Sequence, residues 1–172
     1  MIYDVSAKRG EGINQWQALL HDVDNTTLSP KRRGRLLEEL MINFFNRVEG
    51  FTCVKNIRTR TEELDIEIIN NSDMFNREGK IILCECKNWN RPLKRAELNI
   101  FIEKMKNRRC RCTLGFLVAW NGVTKDLENE LLRFSQRPEL VVILEKDGII
   151  NALDTNSVRE YLDNIVINAI TM

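Results

Sequence analysis

Between Lys31 and Val48 the apolar residues Leu37, Leu40, Met41, Phe44, Phe45 and Val48 recur at three- and four-residue intervals. That spacing lays one apolar stripe along a helix. Ser29-Pro30 marks its start and Gly50 is expected to end it. Upstream, Ile13 to Leu20 predicts a short helix in a mixed segment. Residues 1–30 are read as an N-terminal extension and residues 31–172 as a single domain.

The period changes after Gly50. Phe51 to Thr59 is a strand candidate. In Glu63 to Asn70, Leu64, Ile66 and Ile68 alternate with Glu63, Asp65 and Glu67, the mark of a strand with one buried face. The polar run Asn70-Asn71-Ser72-Asp73 turns the chain, and Lys80 to Lys87 is the next strand. A helix is predicted over Leu93 to Arg108, with Leu98, Phe101, Ile102 and Met105 on one face. A buried strand, Thr113 to Trp120, follows, then a helix from Thr124 to Phe134 and a strand from Leu140 to Glu145. Asp147-Gly148 reads as a turn, and Ser157 to Ala169 as a closing helix. Helices interleave with strands, so the class is α/β with a mixed central sheet flanked by helices. Strands 63–70 and 80–87 are expected to be antiparallel neighbours.

Composition changes this picture little. The 172-residue length and 43% hydrophobic content suit one globular domain. The longest apolar run, Leu114 to Trp120, is too short to span a bilayer, so no membrane partner is expected. No apolar stretch of the secretory kind occurs in Met1 to Gly12, so a cytoplasmic location is expected. Five cysteines, Cys53, Cys84, Cys86, Cys110 and Cys112, read as reduced thiols in apolar segments. The net charge of +1 does not mark a nucleic-acid binder. Its distribution says more. Lys31, Arg32, Arg33 and Arg35 cluster, Arg91, Lys94 and Arg95 follow the strand at 80–87, and Lys104, Lys106, Arg108, Arg109 and Arg111 form a third group. Solvated helix ends explain any one such cluster equally well.

Candidate chemistry begins at Ile82-Leu83-Cys84-Glu85-Cys86-Lys87. On a strand, Ile82, Cys84 and Cys86 point one way, and Leu83, Glu85 and Lys87 the other. Two opposite charges thus share a face at the end of an apolar strand, where an unpartnered charge is costly. Asp65 lies on the polar face of the preceding strand. If the two strands pair, Asp65 and Glu85 come side by side and repel unless a cation lies between them. Mg²⁺ prefers such oxygen ligands. Lys87 would project into the same site and could orient an attacking water.

These residues resemble the PD-(D/E)xK nuclease superfamily, and within it the Mrr-like restriction endonucleases. Asp65 stands in Leu64-Asp65-Ile66, and Glu85-Cys86-Lys87 forms the E-x-K element, followed by Asn88-Trp89. Gly34-Arg35-Leu36-Leu37-Glu38 is similar to the family's first core helix, and Gly115-Phe116-Leu117-Val118 to its fourth strand. The resemblance spans roughly residues 31 to 135. It implies a restriction-endonuclease-like αβββαβ core. Asp65 and Glu85 would be metal ligands, with the backbone carbonyl of Cys86 adding another. Lys87 would assist the water nucleophile, and Glu38 would hold a bound water or a second metal. The resemblance further implies Mg²⁺, with Mn²⁺ able to substitute, and DNA as substrate. One departure is Leu64 where the motif has proline.

Other readings compete. Asp65, Glu85 and Lys87 can form a structural salt bridge, and Trp89 is more often a packing residue than a base-stacking platform. Cys84-x-Cys86 and Cys110-x-Cys112 suggest zinc, but thiols two apart on strands are expected to diverge too far for one tetrahedral ion with Zn–S near ~2.3 Å. His21 is the only histidine and lies outside the core, which argues against a histidine general base. No G-x-x-x-x-G-K-[ST] loop is present. The expected activity is a DNA endonuclease of restriction or phage defence. A non-cleaving DNA- or protein-binding module, or a repair or junction-resolving nuclease, are the alternatives. With so little net charge, a homodimer or a second DNA-binding chain or domain is expected to supply affinity. The clusters at Lys31–Arg35 and Arg91–Arg95 are the expected DNA contacts.

Overall fold

A computed structural model describes residues 12–58, 63–109, 111–133 and 137–171. Helix α1 spans Gly12–Asp24, longer than the sequence suggests, and α2 spans Pro30–Phe45. Ser29 caps α2 by accepting from the Arg32 N–H, and Pro30 sits in its first turn. The apolar stripe of α2, including Leu37, Leu40, Phe44 and Phe45, is buried. The helix stops at Phe45 with Asn46 as cap, before the expected Gly50. Gly50, at φ 87°, instead turns the chain into the first strand.

Strands β1 (Phe51–Arg58), β2 (Glu63–Asn70), β3 (Ile81–Lys87), β4 (Leu114–Ala119) and β5 (Leu140–Glu145) lie side by side in sequence order. Thr59, at the end of the expected first strand, lies outside the described residues, as do Cys110 and Phe134. β1–β2 and β2–β3 are antiparallel, as expected for strands 63–70 and 80–87. β3–β4 and β4–β5 are parallel, with α3 (Arg95–Lys106) and α4 (Lys125–Arg133) as crossovers. The helix, three strands, helix, strand order is therefore the expected αβββαβ core, with a mixed sheet flanked by helices.

The sheet separates two cores. On one face Ile66, Ile68, Ile82, Cys84, Phe116 and Val118 pack with residues of α1, α2 and two C-terminal helices, α5 (Lys146–Asp154) and α6 (Val158–Thr171). On the other, Leu83, Leu117 and Ala119 pack with Leu98, Phe101, Ile102 and Met105 of α3 and with Leu127 of α4. Gly115 lets α3 sit close to β4, because a Cβ there would come within 2.6 Å of the Met105 sulfur. This seating brings a lysine of α3, Lys104, to Glu85 near the end of β3.

Two segments differ from expectation. Asp147-Gly148 is not a turn but the first part of α5. An acid in a first helical turn complements the helix dipole, which accounts for Asp147. Gly148 is required by packing, since a Cβ there would collide with the Tyr161 ring of α6. The N-terminal helix α1 also joins the main core, through Trp16 and Val23. Asn88 donates to the Val23 carbonyl at 3.0 Å, and Trp120 Nε1 donates to Asp24 at 2.8 Å.

Candidate active site

The β2–β3 ladder registers from Ile69↔Ile81 to Ile66↔Cys84. One step further the Asp65 carboxylate accepts from the Cys86 N–H at 2.8 Å. A side chain thus takes the amide at the end of the ladder. β3 remains registered with β4 through Lys87↔Ala119. Glu85 to Lys87 are therefore held firmly on one side while the β2 side gives way to side chains. Continuing the register sets Asp65 opposite Glu85, and directly opposed residues share a face. Glu85 and Lys87 lie on the α3 side of the sheet, and the Asp65 carboxylate reaches the backbone between them.

Glu85 is only 6% exposed. Its Oε1 accepts from Lys87 Nζ at 2.7 Å, and both its oxygens accept from Lys104 Nζ at 2.8 Å. Lys104 also donates to the Glu63 carbonyl at 2.9 Å, tying α3 to the start of β2. Burial alone would lower the Lys87 pKa, but the Glu85 charge and hydrogen bond outweigh it and raise the value. Lys87 therefore stands as an ammonium. Asp65 is pushed up from the usual carboxylate range, by burial first and by the Glu85 charge second.

Glu38, on α2, faces Asp65 from the other side. Its pKa is raised to about 7, by burial first and by the Asp65 charge next. The nearby charges of Lys55 and Arg35 offset part of this. Glu38 Oε2 is buried without a hydrogen-bond partner, and Lys55 Nζ lies 3.9 Å away, too far for a hydrogen bond. Lys55 instead bonds Glu39 at 3.3 Å.

The expected DNA contacts separate into different kinds. Lys31, Arg32 and Arg35 are exposed on the first turns of α2, and Lys94 is exposed before α3. Arg33 is not a surface residue. It is 6% exposed and donates to Asn90 Oδ1 at 3.1 Å, because the helical period turns it inward beside Leu36 and Leu37. Arg91 stacks 4.3 Å from the Trp89 ring centre and bonds Glu97, while Arg95 pairs with Glu130 at 3.1 Å. Cys86 gives the site its amide.

Sequence reasoning missed Lys104, grouping it with the solvated basic cluster. A cue was present: position 104 lies three residues after Phe101 and one before Met105, on the rim of the α3 apolar stripe. Its neighbours Glu103 and Lys106 are exposed and pair with each other, whereas Lys104 is half-buried.

The cysteine geometry also needs correction. Cys84 and Cys86 do not diverge as expected, for their sulfurs lie 3.9 Å apart. Burial raises both thiols, which disfavours the thiolate form that zinc ligation requires.

A family model described as restriction endonuclease, of the Mrr catalytic type, matches residues 31–153. No curated protein and no solved structure matches the chain.

Proposed function

The chain belongs to the Mrr family of restriction endonuclease domains, and from that membership we propose that it hydrolyses DNA phosphodiester bonds internally with the help of Mg²⁺, or of Mn²⁺ in its place. The observation that carries this reading is the Asp65 carboxylate bonded to the E-x-K backbone where the β2–β3 ladder ends, beside Glu85 and its Lys87 ammonium. A purely structural salt bridge would need Lys87 and Glu85 alone. It gives no reason for a second and a third carboxylate, Asp65 and Glu38, whose charges each oppose a neighbour's ionisation.

The residues suit a hard divalent ion in kind. Asp65, Glu85 and Glu38 offer oxygen donors, and the unbonded Glu38 Oε2 is a buried acceptor with capacity to spare. Among the described residues no three His, Cys, Asp or Glu side chains converge as a ready ligand set, so side chains must move for an ion to be held. Asp65 and Glu85 would hold the ion, with the Cys86 carbonyl a further donor and Glu38 holding a water or a second ion. When bound, the ion supplies positive charge against the phosphate oxygens as they gain negative charge. Lys87 holds and orients the attacking water and donates a hydrogen bond toward the same developing charge. Asp65 keeps Cys86, and with it the E-x-K segment, in place through its 2.8 Å bond.

DNA would approach across the exposed start of α2, where Lys31, Arg32 and Arg35 carry positive charge and Arg35 acts electrostatically on Glu38. With a net charge of +1, the domain would rely on a second copy or another DNA-binding chain for affinity. The biological setting proposed is restriction or defence against phage, in the cytoplasm. Among the described residues no helix is long and apolar enough to cross a membrane.

The test is incubation of the purified protein with plasmid, linear and branched DNA in Mg²⁺, Mn²⁺ or chelator. Nicking or linearisation that requires the ion is the expected result. Retention of DNA without cleavage in either ion would favour the binding-module alternative. Preference for branched DNA would move the function to junction resolution or repair.

A further inference from the structure

Glu85 has more cationic contacts than a simple ion pair requires. A carboxylate offers about four lone-pair directions, and ammonium groups occupy three of them, two from Lys104 and one from Lys87. Lys87 and Lys104 thus already act on both residues that would hold a divalent ion, through direct bonds at Glu85 and at longer range at Asp65.

The two lysines are not equivalent. Lys87 leaves the same strand as Glu85 two residues later and touches only Oε1. Lys104 comes from α3, straddles both oxygens, and is anchored by the Glu63 carbonyl. An ion within ~2.1 Å of a Glu85 oxygen cannot coexist with an ammonium astride both oxygens, because the two cations would repel at close range. One of the two must give way. Lys104 is the one whose place coincides with the carboxylate's open end, and its four-carbon stem lets the head swing while the helix stays fixed.

We propose that Lys104 is a further working residue of this site: it holds Glu85 until a divalent ion is bound, then gives it up and turns its ammonium to a backbone phosphate of the DNA. This rests on the metal-dependent nuclease reading above and deepens it. The consequence is coupling between the two ligands. Ion uptake by the protein alone is weakened, because Lys104 must lose its partner. With DNA present Lys104 finds a new anion, so ion and DNA strengthen each other's binding reciprocally. A site built this way takes up its ion chiefly when substrate is there.

The experiment is calorimetric titration of Ca²⁺ and of Mn²⁺ into the DNA-free protein, for wild type, Lys104→Met, Lys104→Gln and Lys104→Arg. Removal of the charge in the Met and Gln variants is expected to tighten ion binding at least about tenfold, while the Arg variant stays near wild type. A duplex titrated in Ca²⁺ and in chelator supplies the second readout. Wild type should gain about 0.9 in salt slope on adding Ca²⁺ relative to the Met variant, the value of one phosphate contact. In the wild-type protein itself, the Lys104 ammonium nitrogen resonance should shift as Ca²⁺ is added, a measurement independent of how the variants fold. Equal or weaker ion binding in the charge-free variants, or a Lys104 resonance unmoved by ion uptake, overturns the proposal. If neither wild type nor variants take up either ion, the metal-dependent reading itself fails, and that result is distinct from a bound ion to which Lys104 is indifferent.

Discussion

Glu85 and Glu38 flank Asp65 from a strand and a helix, and they meet opposite surroundings. Glu85 is enclosed by two ammonium groups that together make three hydrogen bonds to it. Glu38 keeps one oxygen without any hydrogen bond, with its nearest cation at 3.9 Å and the Asp65 charge beside it. Both are carboxylates with most of the side chain shielded from solvent, so burial alone does not distinguish them. The difference lies in which elements bring cations. β3 and α3 each deliver a lysine to Glu85. β1 delivers Lys55 mainly to Glu39. One half of the site is therefore held in place by charge, and the other is left with unused capacity to accept it. A buried carboxylate with spare capacity favours whatever positive species can reach it, a proton or a cation.

The comparison breaks most sharply at Lys87. Lys87→Met keeps the stem and removes the ammonium, and Lys104 still holds both Glu85 oxygens, so the carboxylate stays where it is. Ion binding should persist or tighten, while cleavage falls on the order of 10²–10³-fold, the cost of deleting one donor aimed at developing charge. Asp65→Asn and Glu85→Gln remove ligand charge and should lose ion binding and cleavage together. Calorimetry beside a plasmid-nicking assay separates the two patterns. A Lys87→Met protein that cleaves at the wild-type rate would reduce Lys87 to a structural partner of Glu85.

The cation-rich half and the cation-poor half were unequally legible in the sequence. Asp65, Glu85 and Lys87 sit on strands, where alternation fixes the face and a polar turn between strands implies antiparallel pairing. Period gives Glu85 and Lys87 a common face, and the pairing of β2 with β3 brings Asp65 to the same strand end. The resemblance added Glu38, whose distance along the chain no local pattern bridges. Lys104 was obscured because a lysine on a helix rim is usually solvated, and only the tertiary seating of α3 on Gly115 brings it to Glu85. Arg33 shows the reverse case. It belongs to a run of basic residues, yet the helical period buries it against Asn90 while Lys31, Arg32 and Arg35 stay outside. At Asp147-Gly148 a helix passes for a turn because glycine's usual role there is local. The reason for Gly148 is contact with Tyr161, thirteen residues away in a different helix.

The α2 cluster sharpens the comparison on the Glu38 side. Removing Lys31, Arg32 and Arg35 together takes away exposed charge next to the cation-poor half and should weaken DNA binding for every sequence alike. Each lost phosphate contact should reduce the salt slope by about 0.9. Arg33→Met should leave that slope unchanged and lower thermal stability instead, because the residue is buried. Filter binding or fluorescence anisotropy over a salt series distinguishes the two. An unchanged slope in the triple variant would return the cluster to a solvated helix end.

The smallest expected effect concerns Glu38 itself and appears in stability. Its folded-state pKa of about 7 stands above the ordinary 4.5. Between those values the folded chain binds more protons than the unfolded one, so this group's contribution to stability falls as pH rises through the window. Above pH 7 the wild-type fold carries an ionised, partly buried Glu38 near Asp65, and below pH 4.5 the group is protonated in both states. Glu38→Gln has nothing to ionise. In chelator it should therefore be more stable than wild type at pH 8, by on the order of 1 kcal/mol once solvent screening of this partly exposed group is allowed for. The advantage should shrink steadily between pH 7 and pH 5. Denaturant melts at pH 5, 6.5 and 8 measure it directly. Glu85→Gln makes the contrast: at pH 8 it leaves Lys87 and Lys104 without their carboxylate and should be destabilising. If Glu38→Gln destabilises the fold at pH 8 as Glu85→Gln does, then Glu38 is as well partnered as Glu85, and the difference between the two halves of the site is not real.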